Sequence, residues 1–361
     1  MHSHIVGKTL NELTFKTCKR ILDEGTDIPS RNGASKELCD ISLFLEDPRA
    51  RHLYLQGRTN NIYGTLGEIF WLLAGKTEIS PVLEKFVPRA SNYSDDGISW
   101  RAGYGDRMFV YDQIDHVIQM FLKDGKNTRR AVMAIWQPQK DTLKAVQEQG
   151  FQDSKDYPCS NFLWFWIRDN KLHSKLGMRS NDWIFGGSNI NLVEFTILQE
   201  LILALLKQSN LTEFSDVELG YYHHSVVSLH LYDATIKQAE KIVEAGCVNE
   251  KNFESTGTYP IILYGDYANM RGLFNDIYLR FCHIATEANP TWMDMYEIFQ
   301  NHGITTTGNQ LFNYALLAEA YLMHLTGKKV DFQKTVLPYL KGCLLAAVMY
   351  NKFTPAEWLQ T

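Results

Sequence analysis

The sequence predicts a mixed α/β fold followed by a helical carboxyl-terminal stretch, and three observations carry that expectation. Apolar residues recur at helical spacing in several separate segments. Short runs rich in aromatic and β-branched residues, at 130–136, 161–167 and 221–232, read as strands. From about Ala234 onward the periodicity is largely helical. A chain of 361 residues is long enough for two domains at roughly 100–200 residues each.

The elements follow in order. Residues 9–24 read as a helix, and the polar segment 25–35, with Pro29, Arg31 and Gly33, reads as a loop. A second helix falls at 65–74, where Leu66, Ile69, Phe70 and Leu73 share a face and Glu68 lies among them. Residues 93–106 are rich in Gly, Ser and Asp and read as irregular. Asp112 suits the cap of a helix whose apolar face is Ile114, Val117, Ile118, Phe121 and Leu122, with Gly125 at its exit. Polar stretches at 137–142 and 153–157 separate the first two strands. A helix at 191–207 turns Leu192, Phe195, Leu198, Leu201, Ile202 and Leu205 inward, which puts it in the middle of the fold. In the tail, Leu316, Leu317, Ala320 and Met323, then Leu337, Leu340, Leu344 and Ala347, form the apolar faces of a separate helical unit.

Composition narrows the classes. With 45% hydrophobic and 21% charged residues the chain is an ordinary folded protein, so disorder does not explain it. A formal net charge of −5 argues against broad binding to polymeric nucleic acid, so any anionic ligand must be held by a few local arginines. The longest apolar stretches, such as 201–206, fall short of the roughly 20 residues of a membrane helix. Residues 1–8 lack a secretory pattern, and a cytoplasmic protein with no membrane partner is expected. Cys18, Cys39, Cys159, Cys247, Cys282 and Cys343 are widely scattered, so most are expected to be buried free thiols. His2 with His4, and His223 with His224, lack further ligands at workable spacing, and no metal is expected.

The chemistry concentrates around residues 158–186. Cys159 follows a proline in a polar segment and opens an apolar strand, so its sulfur is expected at a strand edge reachable from a cleft. A nucleophilic thiolate there needs cationic neighbours. Arg129 and Arg130 are adjacent, and Arg179 precedes Ser180, a pairing suited to phosphate through forked and hydroxyl hydrogen bonds. An arginine pair after a helix equally suits a solvated or salt-bridged surface, and spacing leaves both readings open.

Pro158-Cys159, the run Arg179-Ser180-Asn181-Asp182 leading to Gly186, and Ser228-Leu229-His230-Leu231-Tyr232 occur in the order seen in thymidylate synthases. Thr128-Arg129-Arg130, Glu68 followed by Trp71 and Gly75, and Tyr104-Gly105 also match, so the resemblance spans about residues 10–245. Within that superfamily the chain is more similar to the pyrimidine nucleotide hydroxymethylase branch, typified by bacteriophage deoxycytidylate hydroxymethylase. Ile167-Arg168-Asp169 before Lys171, Met178 before Arg179, Phe185-Gly186 and Ser228-Leu229-His230 resemble it, and Ser160 stands where ordinary synthases follow the cysteine with His.

The resemblance implies a thymidylate synthase-like mixed sheet with surrounding helices that dimerises through the sheet face. Residues 1–247 would be the catalytic domain and 248–361 a helical extension of no assigned role. It implies a one-carbon transferase with 5,10-methylenetetrahydrofolate as cosubstrate and a pyrimidine deoxynucleoside monophosphate, dCMP or dUMP, as substrate. Cys159 would attack C6, Glu68 would handle protons through water, Tyr104 would assist loss of the C5 proton, and Asp182 would hold the pterin. Arg31 and Arg179 with Ser180 would grip the phosphate, Arg129 and Arg130 would reach it from the second subunit of a homodimer, and His230 and Tyr232 would bind the sugar.

Once a methylene stands on C5, hydride yields methyl and water yields hydroxymethyl. Methylating enzymes close the site with their carboxyl-terminal tail, whereas this chain continues for more than a hundred residues past the sugar motif. Its end, 353–361, does not resemble that tail, and hydroxymethylation is the expectation, although the extension can also supply a lid of its own. Reductive methylation of dUMP, and a catalytically silent nucleotide-binding paralogue, are the alternatives. Synthases read uracil with an Asn four residues after the motif glycine; the same offset from Gly186 gives Ile190, which can form neither base pairing. Discrimination is then left to Asn189, Asn191, backbone or water, and the base stays open.

Overall fold

The computed structural model describes residues 4–30, 33–246, 258–290 and 293–359. It begins β1 (His4–Gly7), α1 (Leu10–Glu24), β2 (Thr26–Ser30), β3 (Gly33–Leu45) and α2 (Ile62–Leu73). Short α3 (Leu83–Phe86) and α4 (Tyr104–Phe109) precede α5 (Gln113–Asp124). Then come β4 (Val132–Ala134), short α6 (Pro138–Asp141) and α7 (Leu143–Glu148), β5 (Ser160–Arg168) and β6 (Lys171–Asp182). A π-helical segment, Trp183–Asn191, runs into α8 (Leu192–Gln208), followed by β7 (Glu218–Tyr232) and α9 (Asp233–Ala245). The remainder is helical: α10 (Tyr267–Thr286), α11 (Met295–Asn301), α12 (Gln310–Leu325), α13 (Phe332–Thr335) and α14 (Gly342–Met349).

The strands form one mixed sheet in the order β1-β3-β7-β6-β5-β4, with β2 paired to β3. The pairs β1 with β3 and β6 with β7 are parallel, and the rest antiparallel. One face carries buried Leu43, Phe165, Leu176, Tyr222 and Val226. On β5 the residues between them, Phe162, Trp164 and Trp166, alternate onto the other face and are half-buried or exposed, as is Val227 on β7.

Several expectations need correction. The predicted loop at 25–35 contains β2 and the start of β3, paired from Thr26↔Glu37 to Ser30↔Gly33. Its residues are mostly exposed, so the hairpin has the polar composition of a loop. Two long strands, β6 and the part of β3 after residue 35, carry no secondary-structure expectation from the sequence. The link from β5 to β6 is a two-residue turn in which Asp169 and Asn170 both take left-handed φ, +51° and +56°, which suits a tight hairpin. The irregular stretch ends earlier than expected, since α4 starts at Tyr104. Asp112 stands at the start of α5 but in a left-handed conformation with no capping bond; its carboxylate instead accepts from Tyr267 Oη at 3.2 Å. The strand expected at 130–136 narrows to three residues, because the Ile135 and Trp136 amides both turn to the Asn161 carbonyl.

The core helix also exceeds its prediction. Trp183–Gln208 is continuous, and an 18-residue window of it reaches mean hydropathy 1.5, long and apolar enough to cross a membrane, contrary to the expectation from short runs; 83% of that window is buried inside the protein. It packs against α5, β6 and β7 and is buried on nearly every side. The five described cysteines are all free, but only Cys18 and Cys343 are fully buried; Cys159 and Cys282 are half-buried and Cys39 is exposed. Cys247 lies outside the described residues.

The tail helices meet the rest of the chain at α2. Phe70 sits edge-on to Phe281 at 5.9 Å, and Tyr63 stacks on Tyr321 at 4.3 Å while its hydroxyl bonds Thr354 Oγ1 at 2.6 Å. Behind them, buried Glu200 on α8 binds Arg49, Arg51 and the Ile261 amide, tying the tail to the core helix. One face of α2 is thereby held by the tail, and its Glu68 side lines a cavity.

Candidate active site

A cavity of about 550 Å³ opens between α2, the start of α4, the segment before β5 and the turn into α8. Glu68, Tyr104, Cys159, Asn189, Ile190 and Glu194 all line it, with Trp71, Trp100 and Phe185 among its aromatic walls. Trp71 and Trp100 meet edge to face at 5.4 Å, and each indole N–H is satisfied by a backbone carbonyl, of Glu78 and Ala90. Their rings are thus held against the cavity by bonds on its outer side.

Local packing explains why these residues converge. Gly105 lets α4 press on α2, since a Cβ there would lie 2.0 Å from the Leu72 carbonyl oxygen. That approach brings Tyr104 beside the helix carrying Glu68. The Tyr104 hydroxyl in turn accepts from the Ser160 amide at 3.2 Å, next to Cys159. Arg101 holds the facing segment: it donates to the Asp156 carbonyl at 2.5 Å and Ser154 Oγ at 3.0 Å, and pairs with Asp141 at 3.1 Å. The Ala102 amide adds a bond to Asp156 Oδ2 at 3.1 Å. Cys159 is therefore presented from a pinned loop.

Burial dominates the electrostatics. It pushes Glu68 up to about 7 and Glu194 up to about 8, the latter also raised by the Glu68 charge and opposed by the hydrogen bond from Asn191. Burial likewise pushes Asp156 up to about 6 and raises the Tyr104 phenol, which also feels Cys159 and Glu194.

The other predicted residues whose positions are described do not line this cavity. Arg179, exposed on β6, donates from Nε to the Pro158 carbonyl at 3.0 Å and from Nη2 to the Tyr157 carbonyl at 3.1 Å. Its amide bonds the Cys159 carbonyl at 3.0 Å. Ser180 stands opposite Ser228, and Asp182 opposite His230, across the β6–β7 pairing. The His230 and Tyr232 rings lie 4.7 Å apart. The Asp182 carboxylate accepts from the Ile184 amide at 3.0 Å; burial pushes it up, against His230 and Arg58. Tyr93 on the cavity wall feels both Asp182 and Glu68. Arg129 and Arg130 are exposed just before β4, away from the cavity lining, and Arg130 pairs with Asp124 at 2.8 Å. Arg31 lies outside the described residues.

A family model for thymidylate synthase matches residues 14–252. The chain belongs to the thymidylate synthase family. It is 39% identical over 217 residues to a deoxyuridylate hydroxymethyltransferase of Delftia phage PhiW-14, covering 60% of this chain and 58% of that protein. It is 28% identical over 263 residues to a deoxyuridylate hydroxymethyltransferase of Bacillus phage SP01, covering 69% of this chain and 64% of the relative. A putative thymidylate synthase of Methanothermobacter marburgensis is 25% identical over 239 residues, 64% of this chain and 94% of its own length. The chain thus spans about three-fifths of the length of the phage relatives it matches.

In this member of the thymidylate synthase family the sequence reading missed Glu194. Asn191 and Glu194 stand three apart at the start of α8, a spacing that puts both on one helix face. Asn191 Nδ2 donates to Glu194 Oε1 at 2.9 Å, and Asn191 Oδ1 accepts from Asn181 Nδ2 at 2.9 Å. The chain of bonds continues to His224 at 3.1 Å and from there to Tyr222 Oη at 2.9 Å. A glutamate inside an apolar helical run was the available signal.

Proposed function

We propose that this chain catalyses folate-dependent hydroxymethylation at C5 of a pyrimidine deoxynucleoside monophosphate, with dUMP as substrate. The observation that carries the reading is the meeting of Cys159, Glu68 and Tyr104 in one aromatic-walled cavity, in a family member whose phage relatives are deoxyuridylate hydroxymethyltransferases.

The Cys159 thiolate adds to C6 of the base, and the displaced electron pair makes C5 nucleophilic through the C4 enolate. Methylenetetrahydrofolate supplies the one-carbon unit to C5. The flat aromatic walls Trp71, Trp100 and Phe185 fit a ring of that kind, and Asp182 would hold its polar edge. Tyr104, beside the cysteine, assists loss of the C5 proton, and the electron pair left behind expels the folate amine as tetrahydrofolate, leaving an exocyclic methylene on C5. Water then adds to the C5 methylene, Glu68 takes the proton of that water, and the enolate expels Cys159 to restore the C5–C6 double bond. Arg179 and Ser180, with Arg31, would hold the phosphate, and His230 and Tyr232 the sugar. Arg129 and Arg130 would act across a homodimer formed on the open, aromatic face of the sheet.

Water access favours hydroxymethyl over methyl. Among the described residues none after Glu194 lines the cavity, and the tail helices α10 and α12 pack on α2. The archaeal relative's name favours the second reading, reductive methylation of dUMP.

Parallel reactions with dUMP and dCMP, each with methylenetetrahydrofolate, test the base assignment. Release of the C5 hydrogen is expected to be at least about 100-fold faster from dUMP. Equal rates, or a preference for dCMP, would overturn it.

A further inference from the structure

Glu194 is a buried carboxyl in the same cavity as Glu68, and the steps above leave it unused. We propose that Glu68 and Glu194 form a carboxyl pair sharing one proton, in which Glu194 is a positioning residue that carries the proton so that Glu68 works as the anion. The inference rests on the proposed reaction and adds a residue to it.

Three features support the pair. The two carboxyls project from α2 and α8 into one cavity, and the Glu68 charge adds to the burial that raises Glu194. Two anions together in an apolar enclosure repel strongly, so one proton is retained between them. The relay then decides which oxygen carries it. His224 is fully buried and stays neutral, its imidazole held down to about 3 by burial. In the tautomer protonated at Nε2 it donates to Asn181 Oδ1 and accepts at Nδ1 from Tyr222 Oη. Asn181 then donates to Asn191 and Asn191 to Glu194 Oε1. This series makes Oε1 an acceptor and leaves Oε2 for the proton.

Among the described residues Arg89 is the cation on the cavity wall, and neither carboxyl's ionisation responds to it. Glu194 faces Glu68 on α2, Tyr104 on α4 and Tyr222 on β7. Glu68 also faces Tyr93, which connects it to Asp182 and Arg89 at the cavity wall, where Asp156 and Cys159 stand as well. Above about pH 8 Glu194 loses its proton and a second anion appears beside Glu68. The developing C4 enolate then meets two negative charges, and the rate falls.

Two measurements on the full-length protein test the pair. Infrared difference spectra of wild type against Glu194→Gln, without substrate, are expected to show a buried protonated carboxyl at pH 7 that the variant lacks. That band is expected to disappear at lower pH in Glu68→Gln, because the neighbouring charge is gone. In C5 hydrogen release, wild type is expected to lose about tenfold between pH 7 and pH 9, while Glu194→Gln, whose amide oxygen still accepts from Asn191, loses less than about twofold. Absence of the carboxyl band in wild type at pH 7, or an unchanged alkaline limb in Glu194→Gln, would overturn the proposal. If wild type releases no C5 hydrogen from any pyrimidine nucleotide, the reaction assigned above fails, and the infrared result alone decides the pair.

Discussion

Cys159→Ala is expected to release hydrogen from C5 of dUMP no faster than buffer does, a loss on the order of 10⁴-fold or more against wild type. The thiolate is the only group assigned the task of breaking the aromaticity of the ring, so no partial activity is available from the remaining residues. The substitution removes one half-buried sulfur from a loop that Arg101, Arg179 and the Ser160–Tyr104 bond hold independently. Folding and nucleotide binding are therefore expected to persist, and equilibrium dialysis with dUMP separates lost chemistry from lost structure. Serine at the same position is expected to behave like alanine, because a hydroxyl ionises far less readily than a thiol and is the weaker nucleophile.

Glu68→Gln carries the second largest effect, a fall of about 10²–10⁴-fold in turnover with little change in dUMP affinity. The change is nearly isosteric, so it tests charge and not packing. Its pH signature follows from the raised ionisation of Glu68. Because burial places that carboxyl at about 7, wild type loses the working anion as protons bind on the acid side. Below that point the rate is expected to drop about tenfold per pH unit, whereas the residual rate of Glu68→Gln loses that limb. An acid limb of unchanged position and slope in the variant would assign the ionisation to another group.

Periodicity made the helices legible: α1, α5 and α8 lie close to where their apolar spacing put them, since each has one stripe or more to bury. The strands β5 and β7 were legible for their aromatic and β-branched content. The two strands left unread, β3 and β6, sit inside the sheet, where one would expect the clearest signal. β6 carries Arg179, Ser180 and Asp182, so polar residues occupy positions that a purely structural strand would fill with valine or isoleucine. Its Asp169-Asn170 turn was the signal available and unused. Cys159, Glu68 and Tyr104 were readable only through the order of short motifs, because nothing local places three residues so far apart in sequence around one cavity. Glu194 and the Arg101 network depend on contacts between elements, α2 with the turn into α8 and the loop before α4 with the segment before β5, and no spacing along the chain encodes them.

The group left on C5 separates hydroxymethylation from methylation. Incubation of the protein with dUMP and methylenetetrahydrofolate, followed by mass spectrometry of the nucleotide, is predicted to show a gain of CH₂O together with formation of tetrahydrofolate. A nucleotide heavier by CH₂ alone, with dihydrofolate formed in equal amount, would contradict it.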